Sequence, residues 1–568
     1  MQTSVRASLQ TSVDALPVAL PEDLAACHAM IQYNHAMIQQ LLDTHVEKDR
    51  LIAGLRHQLQ NLLRRAYGRS SEKLDPNQLA LFEKMLAELQ DGAGAASTEQ
   101  PSLEPVKSSP KLNANGHGRR QLPASLERRD VVIDLPEDQK PCPCCHAMRV
   151  PMGDQVSEKL DYEPARVFVQ REIRRKYVCR ACEANAAESG PQIVVADKPL
   201  CAVEKSLAAP GLQAQIIISK YADHQPLNRH ERILARHGIE LSRSTQWDCL
   251  RQCSEALLPL VKLMTSDVLA SRVLHTDDTP VDVLDRQMPG TTRTGRFWVY
   301  VGDENHPQIV FDYTSSRSRD GPMAFLKGWG KESRVYLQAD AFGGYDGIYR
   351  GEAGGNVTEV ACMAHCRRKF HDARNTDMTT ATQALAHIKL LYDVEDMAKA
   401  KAAKESDDEA IDQSDHHARW RKLIAWRLRL RQELAVSRLT QFKAWLESRQ
   451  IQNGGPALPK SPMGQAITYA LNQWDALCVY TSDGELNIDN NVAERALRRI
   501  AVGRNNWLFM GSDNGGRTAA ILFSLIATCE RHRVNPFDYL RDVLTRIAAH
   551  PMNRLAELLP NRWQPAPR

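Results

Sequence analysis

Near the start of the chain, apolar residues recur at the spacing of a helix that packs against another helix. Residues 22–66 contain no proline, and their apolar side chains fall mostly three, four or seven positions apart. This pattern predicts an imperfect coiled coil through which the chain self-associates, and the alternative is a helix packed on its own domain. The apolar seam consists of Ile31, Ile38, Leu41, Ile52, Leu55, Leu59 and Leu62, and Asn34, His45 and Lys48 interrupt it.

The helical pattern of the N-terminal region, residues 1–90, gives way to a stretch without periodicity. Residues 91–125 are rich in glycine, serine, proline and alanine, which predicts a flexible linker. A second helical region follows at 201–265. There, "PLNRHERILARHG" (226–238) ends in a glycine, and Ser242 and Ser244 offer N-caps for the next helix, 245–264. This helix-turn-helix-like arrangement fits a DNA reader, but it also fits an ordinary helical hairpin.

Alternation typical of strands dominates residues 266–365. The predicted order is strand, strand, strand, helix, strand, helix, strand, which is the order of a ribonuclease H-like α/β core. In that fold the first and fourth strands are neighbours, so Asp277 after "RVLHT" and Asp340 after "SRVYLQA" would meet at one divalent cation, Mg²⁺ or Mn²⁺. The remaining predicted elements are the strands 295–304, 308–314 and 357–365 and the helix 318–329.

A third carboxylate for such a site is Glu494, in the second part of the predicted core, 476–530. Residues 483–509 contain a predicted helix, and Glu494 borders its apolar stripe. The same residue fits a capping box with Asn491 and an ion pair with Arg498, so its pattern leaves the role open. The stripe consists of Ala493, Ala496, Leu497 and Ile500.

Residues 366–475 lie between these two parts and are predicted to form a long all-helical insertion, while 531–568 form a C-terminal helical tail. Arginine is frequent in the insertion, and basic clusters also occur at "RRKF" and "ERALRR", as suits a polyanion such as DNA. A solvated helix face explains each cluster equally well, and Trp420, Trp426 and Trp445 are predicted to be core residues. The candidate DNA-binding residues are Arg367, Arg368, Lys369, Arg427, Arg429, Arg431, Arg495 and Arg498.

Length, net charge and the distribution of apolar residues limit the number of domains and the expected location of the protein. The 568 residues carry a net charge of +4, which does not by itself indicate nucleic-acid binding, and the length predicts several domains. No run of about 18 apolar residues and no signal-peptide layout is present, so a cytoplasmic, nucleoid-associated protein without a membrane partner is expected.

In that compartment the 13 cysteines are not expected to form disulfides, and clustered ones point to metal. Two CxxC pairs occur in the predicted zinc-binding domain, 126–200, with strand-like segments such as 167–173 between them. They predict a four-cysteine zinc ribbon with a structural Zn²⁺, and Cys144 and His146 are substitute ligands. Free core cysteines and redox chemistry are weaker alternatives. The four predicted ligands are Cys142, Cys145, Cys179 and Cys182.

Taken together in order, these segments resemble DDE transposases of the insertion-sequence-66 family. The resemblance extends over nearly the whole chain and rests on "GRSSEKL", the paired CxxC motifs, "SKYADHQPLNRHERILARHGIELSRST", "LHTDDTPV", "LQADAFGGYDGIY", "CMAHCRRKF", "IDNNVAERALRRIAVGRNNWLFMGSDNGG" and "NPFDYLRDVLTRI". The family usually has Asp-Glu where this chain has Asp277-Asp278, which leaves the role of Asp278 open.

The resemblance implies that Asp277, Asp340 and Glu494 bind two Mg²⁺ or Mn²⁺ ions and cleave and join DNA at the ends of an insertion sequence. It also implies as partners the terminal inverted repeats, the target DNA, a second copy of the chain and small accessory proteins of the same element. Two other functions are consistent with the same segments: a DNA-binding regulator with an inactive core, and a ribonuclease H-like nuclease or resolvase that does not join strands.

Overall fold

The computed structural model describes residues 200–566, apart from 205, 286, 289, 410, 413 and 414, together with short stretches between 28–44 and 167–195. The chain divides into two compact units, one formed by 95–198 and the other by 1–94 with 199–568. In the smaller unit, Lys176–Val178 pairs antiparallel with Ile193–Val195. The four cysteines predicted to bind zinc and the predicted linker lie outside the described residues, so both stay predictions.

At the N-terminal end of the larger unit, residues 31–41 are helical. The three seam residues described there, Ile31, Ile38 and Leu41, are all exposed in the single chain. The rest of the predicted seam lies outside the described residues.

A five-stranded mixed sheet organises the larger unit. Its strands lie in the order β3-β2-β1-β4-β5, so the first strand is central. β1, β2 and β3 form an antiparallel meander, whereas β4 runs parallel to β1 and β5 runs parallel to β4. The bounds are β1 Val273–Leu284, β2 Thr292–Val301, β3 Ile309–Thr314, β4 Val335–Ala339 and β5 Val357–Ala361.

Helices that precede and follow the sheet in sequence share one hydrophobic core with it. Before the sheet come α1 (Pro210–Tyr221), α2 (Leu227–Arg236) and α3 (Arg243–Val268). The hydroxyl of Ser242 caps α3 by accepting from the amide of Thr245, as the sequence predicts. After the sheet come α12 (Asn491–Trp507), α13 (Asp513–Arg531) and α14 (Pro536–Arg546).

The helix-turn-helix-like segment belongs to this shared core. Leu250, Cys253 and Leu257 of α3 are fully buried. Most of one face of α3 is therefore used for packing, which favours the helical-hairpin alternative for that segment over a separate DNA reader.

The segment between β5 and α12 is helical and packs around a second hydrophobic core, which also includes Val273, Val360 and Ala361 of the sheet. Two short helices, α4 (Asp320–Phe325) and α5 (Asp346–Tyr349), connect the strands before it. The insertion helices are α6 (Met363–Ala373), α7 (Met378–Asp408), α8 (His416–Leu430), α9 (Val436–Arg449), α10 (Pro462–Asn472) and α11 (Trp474–Cys478), and a π-helical turn, Arg431–Ala435, joins α8 to α9. Trp426 and Trp445 pack against this core, as predicted.

Several predicted element bounds differ from the structure, and two of the differences bear on the candidate site. The strand predicted at 357–365 ends at Ala361, and α6 begins at Met363, so His365 and the basic residues after it lie on a helix. β1 does not end before Asp277 but continues to Leu284, because its pairing with β2 extends along its whole second half.

Candidate active site

Two aspartates from neighbouring strands begin the site. His275 of β1 is in register with Gln338 of β4, and the strands are parallel, so two residues further on Asp277 lies beside Asp340. Asp340 directly follows the end of β4. The predicted adjacency of the first and fourth strands is therefore what the sheet has, although Asp277 lies within β1 and not at its end.

The electrostatics of the pair show mutual repulsion. Burial, with the nearby charge of Asp340, raises the pKa of Asp277 to about 7, and Glu494 adds to this rise. Burial also raises the pKa of Asp340, while His365 and Arg317 act in the opposite direction. The three carboxylates thus share one region of low dielectric, where a cation would relieve their repulsion.

Glu494 reaches this region from the first turn of α12. Its Oε1 is 3.7 Å from Nδ1 of His365, and its Oε2 is 3.9 Å from Nη2 of Arg368, both on α6. All four residues of the predicted stripe are buried, and Glu494 borders this buried face of α12.

Hydrogen bonds of the buried His275 connect the segment at the start of α12 to β1. Nδ1 of His275 lies 3.1 Å from Oδ1 of Asn490, and the Asn490 amide donates to the carbonyl of Thr276 at 2.7 Å. The amide of Asn487 lies 3.2 Å from Nε2 of the same imidazole. Burial lowers the pKa of His275 to about 4, so the ring is neutral and can donate at Nδ1 while it accepts at Nε2.

The alternative structural role of Glu494 is not what the structure has. The N-cap of α12 is Asn490, not Asn491, and its side chain makes no capping bond because it is engaged by β1. The side chain of Asn491 bonds Asp489 instead. The structure therefore does not have the capping box that was one of the two alternatives for Glu494, and the Glu494 side chain remains directed at the site.

The donor atoms suit a divalent cation. Oδ1 of Asp340 and Oε1 of Glu494 are both buried without a hydrogen-bond partner. Buried carboxylate oxygens without donors are costly unless a cation or proton compensates them. Hard oxygen ligands of this kind fit Mg²⁺ or Mn²⁺, so the residues present fit the metal that the sequence implies.

Comparison with known families decides the identity of the chain. A family model described as "Transposase IS66 family" matches residues 205–518, more than half of the 568 residues. The chain belongs to the IS66 family of transposases. Three further models match: "IS66 C-terminal element" at 524–561, "zinc-finger binding domain of transposase IS66" at 139–183, and "Transposase C of IS166 homeodomain" at 54–131.

Curated relatives of this transposase match it over most of its length. "Uncharacterized protein y4hP" of Sinorhizobium fredii (strain NBRC 101917 / NGR234) is 30% identical over 542 residues, which cover 91% of this chain and 89% of that protein. "Uncharacterized protein y4qI" of the same strain is 29% identical over 585 residues, with 98% of each chain covered. These proteins support the family, and their names state no activity.

Family membership suggests DNA binding and self-association, and the zinc-finger match supports a structural zinc. Within the part of the chain that the structure describes, no helix is long and apolar enough to cross a membrane.

Two of the arginines predicted to bind DNA in this transposase are structural. Arg431 is fully buried, and it donates to both oxygens of Glu395 at 2.7 and 2.9 Å. Arg427 is mostly buried and lies 3.2 Å from the same carboxylate. Because Arg431 is fully buried and only 13% of the Arg427 side chain is exposed, the prediction that these two bind DNA is corrected.

The other basic candidates are more accessible. Arg429 is exposed and pairs with Glu433, whereas Arg367 is half-buried. Arg368, Lys369, Arg495 and Arg498 are exposed on α6 and α12, the helices that carry His365 and Glu494. Their contact with DNA stays a prediction.

Four residues of this candidate site were not identified from the sequence. His365 and Asn490 stood in motifs that had been noted, but the first was assigned to a strand and the second had no partner in sequence. His275 also stood in a noted motif, but its role and that of Arg317 depend on residues far along the chain: His275 bonds Asn490, and Arg317 bonds Asp278 at 2.7 Å.

Proposed function

We propose that the protein is a DDE transposase whose core is ribonuclease H-like and whose triad is Asp277, Asp340 and Glu494. The reaction is metal-dependent cleavage of DNA at the ends of an insertion sequence, followed by joining of those ends to target DNA. The observation that carries this proposal is the convergence of three carboxylates, from β1, from the end of β4 and from α12, on one region where the pKa of Asp277 is raised to about 7.

The strand order β3-β2-β1-β4-β5, in which β2 is antiparallel to the other four strands of this sheet, supports the ribonuclease H-like assignment. In this proposal Asp277, Asp340 and Glu494 would hold two divalent ions. When bound, such ions supply activation of a water or 3′-hydroxyl and stabilise the leaving oxygen. The chain itself contributes the fixed positions of the carboxylates, through the β1–β4 register and the bond between His275 and Asn490.

Metal removal tests the function directly. With a duplex carrying the end of the element, taken from the DNA that flanks the coding region, we expect cleavage and joined products in Mg²⁺ or Mn²⁺. EDTA should abolish both, and an excess of Mg²⁺ should restore them, because the carboxylates alone lack an electrophile. DNA binding without cleavage under every metal condition would favour the regulator, and cleavage without joined products would favour the nuclease or resolvase.

Removing the hydrogen bonds between Asn490 and β1 should slow DNA cleavage without abolishing it. Asn490→Ala leaves the Thr276 carbonyl and the His275 ring without their partner, at a cost of about 1–3 kcal/mol in the free energy of unfolding. Because Glu494 lies one turn further along, a shift of about 1 Å there should slow cleavage about a hundredfold. Single-turnover cleavage rates and urea denaturation measure the two effects.

Asn506→Ala is the matched control, since this exposed asparagine lies on the same helix and its side-chain amide donates to the carbonyl of Val502, one turn earlier. It should leave the rate within about twofold. Equal rates for both variants would mean that the contact with His275 does not position Glu494.

The remaining assignments are also proposals. One structural zinc is held by Cys142, Cys145, Cys179 and Cys182. The zinc-finger match at 139–183 supports this site, and metal analysis of the cysteine-to-serine variants would check it.

The exposed seam of Ile31, Ile38 and Leu41 supports a homodimer or higher oligomer through the N-terminal helix, measurable by light scattering. Accessory proteins of the same element are further proposed partners, which co-expression followed by co-purification would reveal.

A further inference from the structure

Asp278, the second acid of the pair at 277–278, is bound by two arginines. Its side chain is 1% exposed. Nη1 of Arg296 donates to its Oδ2 at 2.8 Å, and Nε and Nη2 of Arg317 donate to its Oδ1 at 3.0 and 2.7 Å. Two positively charged guanidinium groups thus bind one carboxylate, so the charge of Asp278 can neutralise only one of them.

The excess charge lies next to the triad, on Arg317. Its Nη2 is 3.7 Å from Oδ2 of Asp340, and its guanidinium lies over the ring of Phe342 at 4.0 Å. The side chain is 39% exposed, and its Nη1 makes no hydrogen bond with any residue that the structure describes. Arg317 is therefore held in place from two sides, while one edge of the guanidinium remains available to a ligand.

A guanidinium in this position suits a phosphodiester. Its planar array of N–H donors matches the oxygens of a phosphate group, and a group already fixed by its neighbours loses little conformational entropy on binding. At 3.7 Å from Asp340 it is too far for a direct hydrogen bond, so the Asp340 carboxylate stays available to a cation.

We propose that Arg317 contacts the scissile phosphate, and that Asp278 is a positioning residue that anchors Arg317 and keeps it from pairing fully with Asp340. This inference rests on the proposed function, because it takes the triad as the place where the phosphodiester is cleaved. It gives Asp278 a role other than metal binding.

A binding experiment without metal tests the phosphate contact. We would measure the dissociation constant in EDTA for the duplex end with a natural scissile phosphodiester and with an uncharged methylphosphonate at that position. Arg317→Gln should weaken binding of the natural duplex about tenfold, equivalent to about 1.4 kcal/mol, and leave binding of the methylphosphonate duplex within about twofold. A methylphosphonate three nucleotides away should show no such coupling.

Arg319→Gln is the matched control, because Arg319 is two residues away, 63% exposed and paired only loosely with Glu352 at 3.9 Å. It should change both affinities by the same factor. If Arg317→Gln does not fold, Arg317→Lys keeps the charge but loses the two-pronged grip, and it should weaken binding of the natural duplex by a smaller factor. A methylphosphonate effect that is the same in the wild type and the Arg317 variants would overturn the inference.

The anchoring role has its own measurement. Asp278→Asn should release Arg317 towards Asp340 and raise at least fivefold the Mn²⁺ concentration that half-saturates the site, read both by Mn²⁺ titration without DNA and by cleavage. Asp278→Glu keeps the anchor's charge and should restore most of the metal affinity. Unchanged Mn²⁺ affinity in Asp278→Asn would refute the anchoring role.

These outcomes separate the two proposals. If the wild type shows no metal-dependent cleavage, the proposed function fails. If the wild type cleaves but the coupling to the scissile phosphate is absent, only the role of Arg317 fails.

Discussion

Asp277→Asn, Asp340→Asn and Glu494→Gln are each expected to reduce strand cleavage and joining at least about a thousandfold. Each change removes an anionic ligand from the proposed metal pair, and several kcal/mol of stabilisation of the transition state should be lost with it. Affinity for the duplex end should stay equal or rise, since a negative charge near the phosphate is removed. Gel-based cleavage and strand-transfer assays and fluorescence anisotropy measure these effects.

The control for these variants is Asp346→Asn, which makes the same chemical change at an exposed aspartate shortly after Asp340. It should retain full activity. Strand transfer that survives in one of the three variants would remove that residue from the triad.

Asp277→Asn should also stabilise the metal-free fold, with a defined dependence on pH. Burial and the charge of Asp340 raise the pKa of Asp277 from 3.8 to about 7, so the folded state holds this proton more tightly than the unfolded state does. The resulting destabilisation is absent below pH 3.8, grows as pH rises and is complete above pH 7. In EDTA the increase in melting temperature should therefore be larger at pH 8 than at pH 5.

The first two carboxylates could be predicted because their positions follow from strand order. Alternating apolar residues indicate β1 and β4, and a sheet that places these strands side by side brings Asp277 and Asp340 together whatever the loops do. The exact end of β1 was missed, since its extension depends on pairing with β2 and not on its own residues.

The local pattern around Glu494 could not decide its role, because the residues that surround it in the structure come from distant segments. The periodicity of α12 predicted the helix and its buried stripe, but a capping box and a metal ligand have the same local pattern. The choice depends on Asn490, whose side chain bonds His275 more than 200 positions earlier, and no local pattern encodes that contact.

The arginine-rich insertion shows where sequence reasoning failed. Arg427, Arg429 and Arg431 are equivalent as letters in a basic helix, yet only Arg429 is exposed. The π-helical turn Arg431–Ala435 changes which residues face inward at this point of the insertion, and Arg431 is one of those it buries. A contact pattern that depends on one irregular turn cannot be read from charge spacing alone.

Arg431→Met is expected to destabilise the protein by about 3–5 kcal/mol, because it leaves Glu395 short of its main partner in the core. All five N–H donors of Arg431 are used: two on Glu395, and one each on the carbonyls of Tyr480, Asp483 and Leu486, at 2.7–2.9 Å. Those carbonyls belong to the segment that leads into α12, so cleavage should fall as well. Urea denaturation and single-turnover cleavage measure the two losses.

Arg429→Glu is the matched control, since it reverses the charge of the exposed neighbour and should change stability by no more than about 0.5 kcal/mol. If Arg429 contacts DNA, the same variant should lower the slope of log affinity against log salt by about one. The double variant Glu395→Met with Arg431→Met should be more stable than Arg431→Met alone, because no unpaired carboxylate remains in the core. If Arg431→Met is as stable as the wild type and has a reduced salt slope, Arg431 belongs to the DNA-binding surface. That result would contradict its structural role, in which its buried hydrogen bonds connect the insertion to the segment before α12.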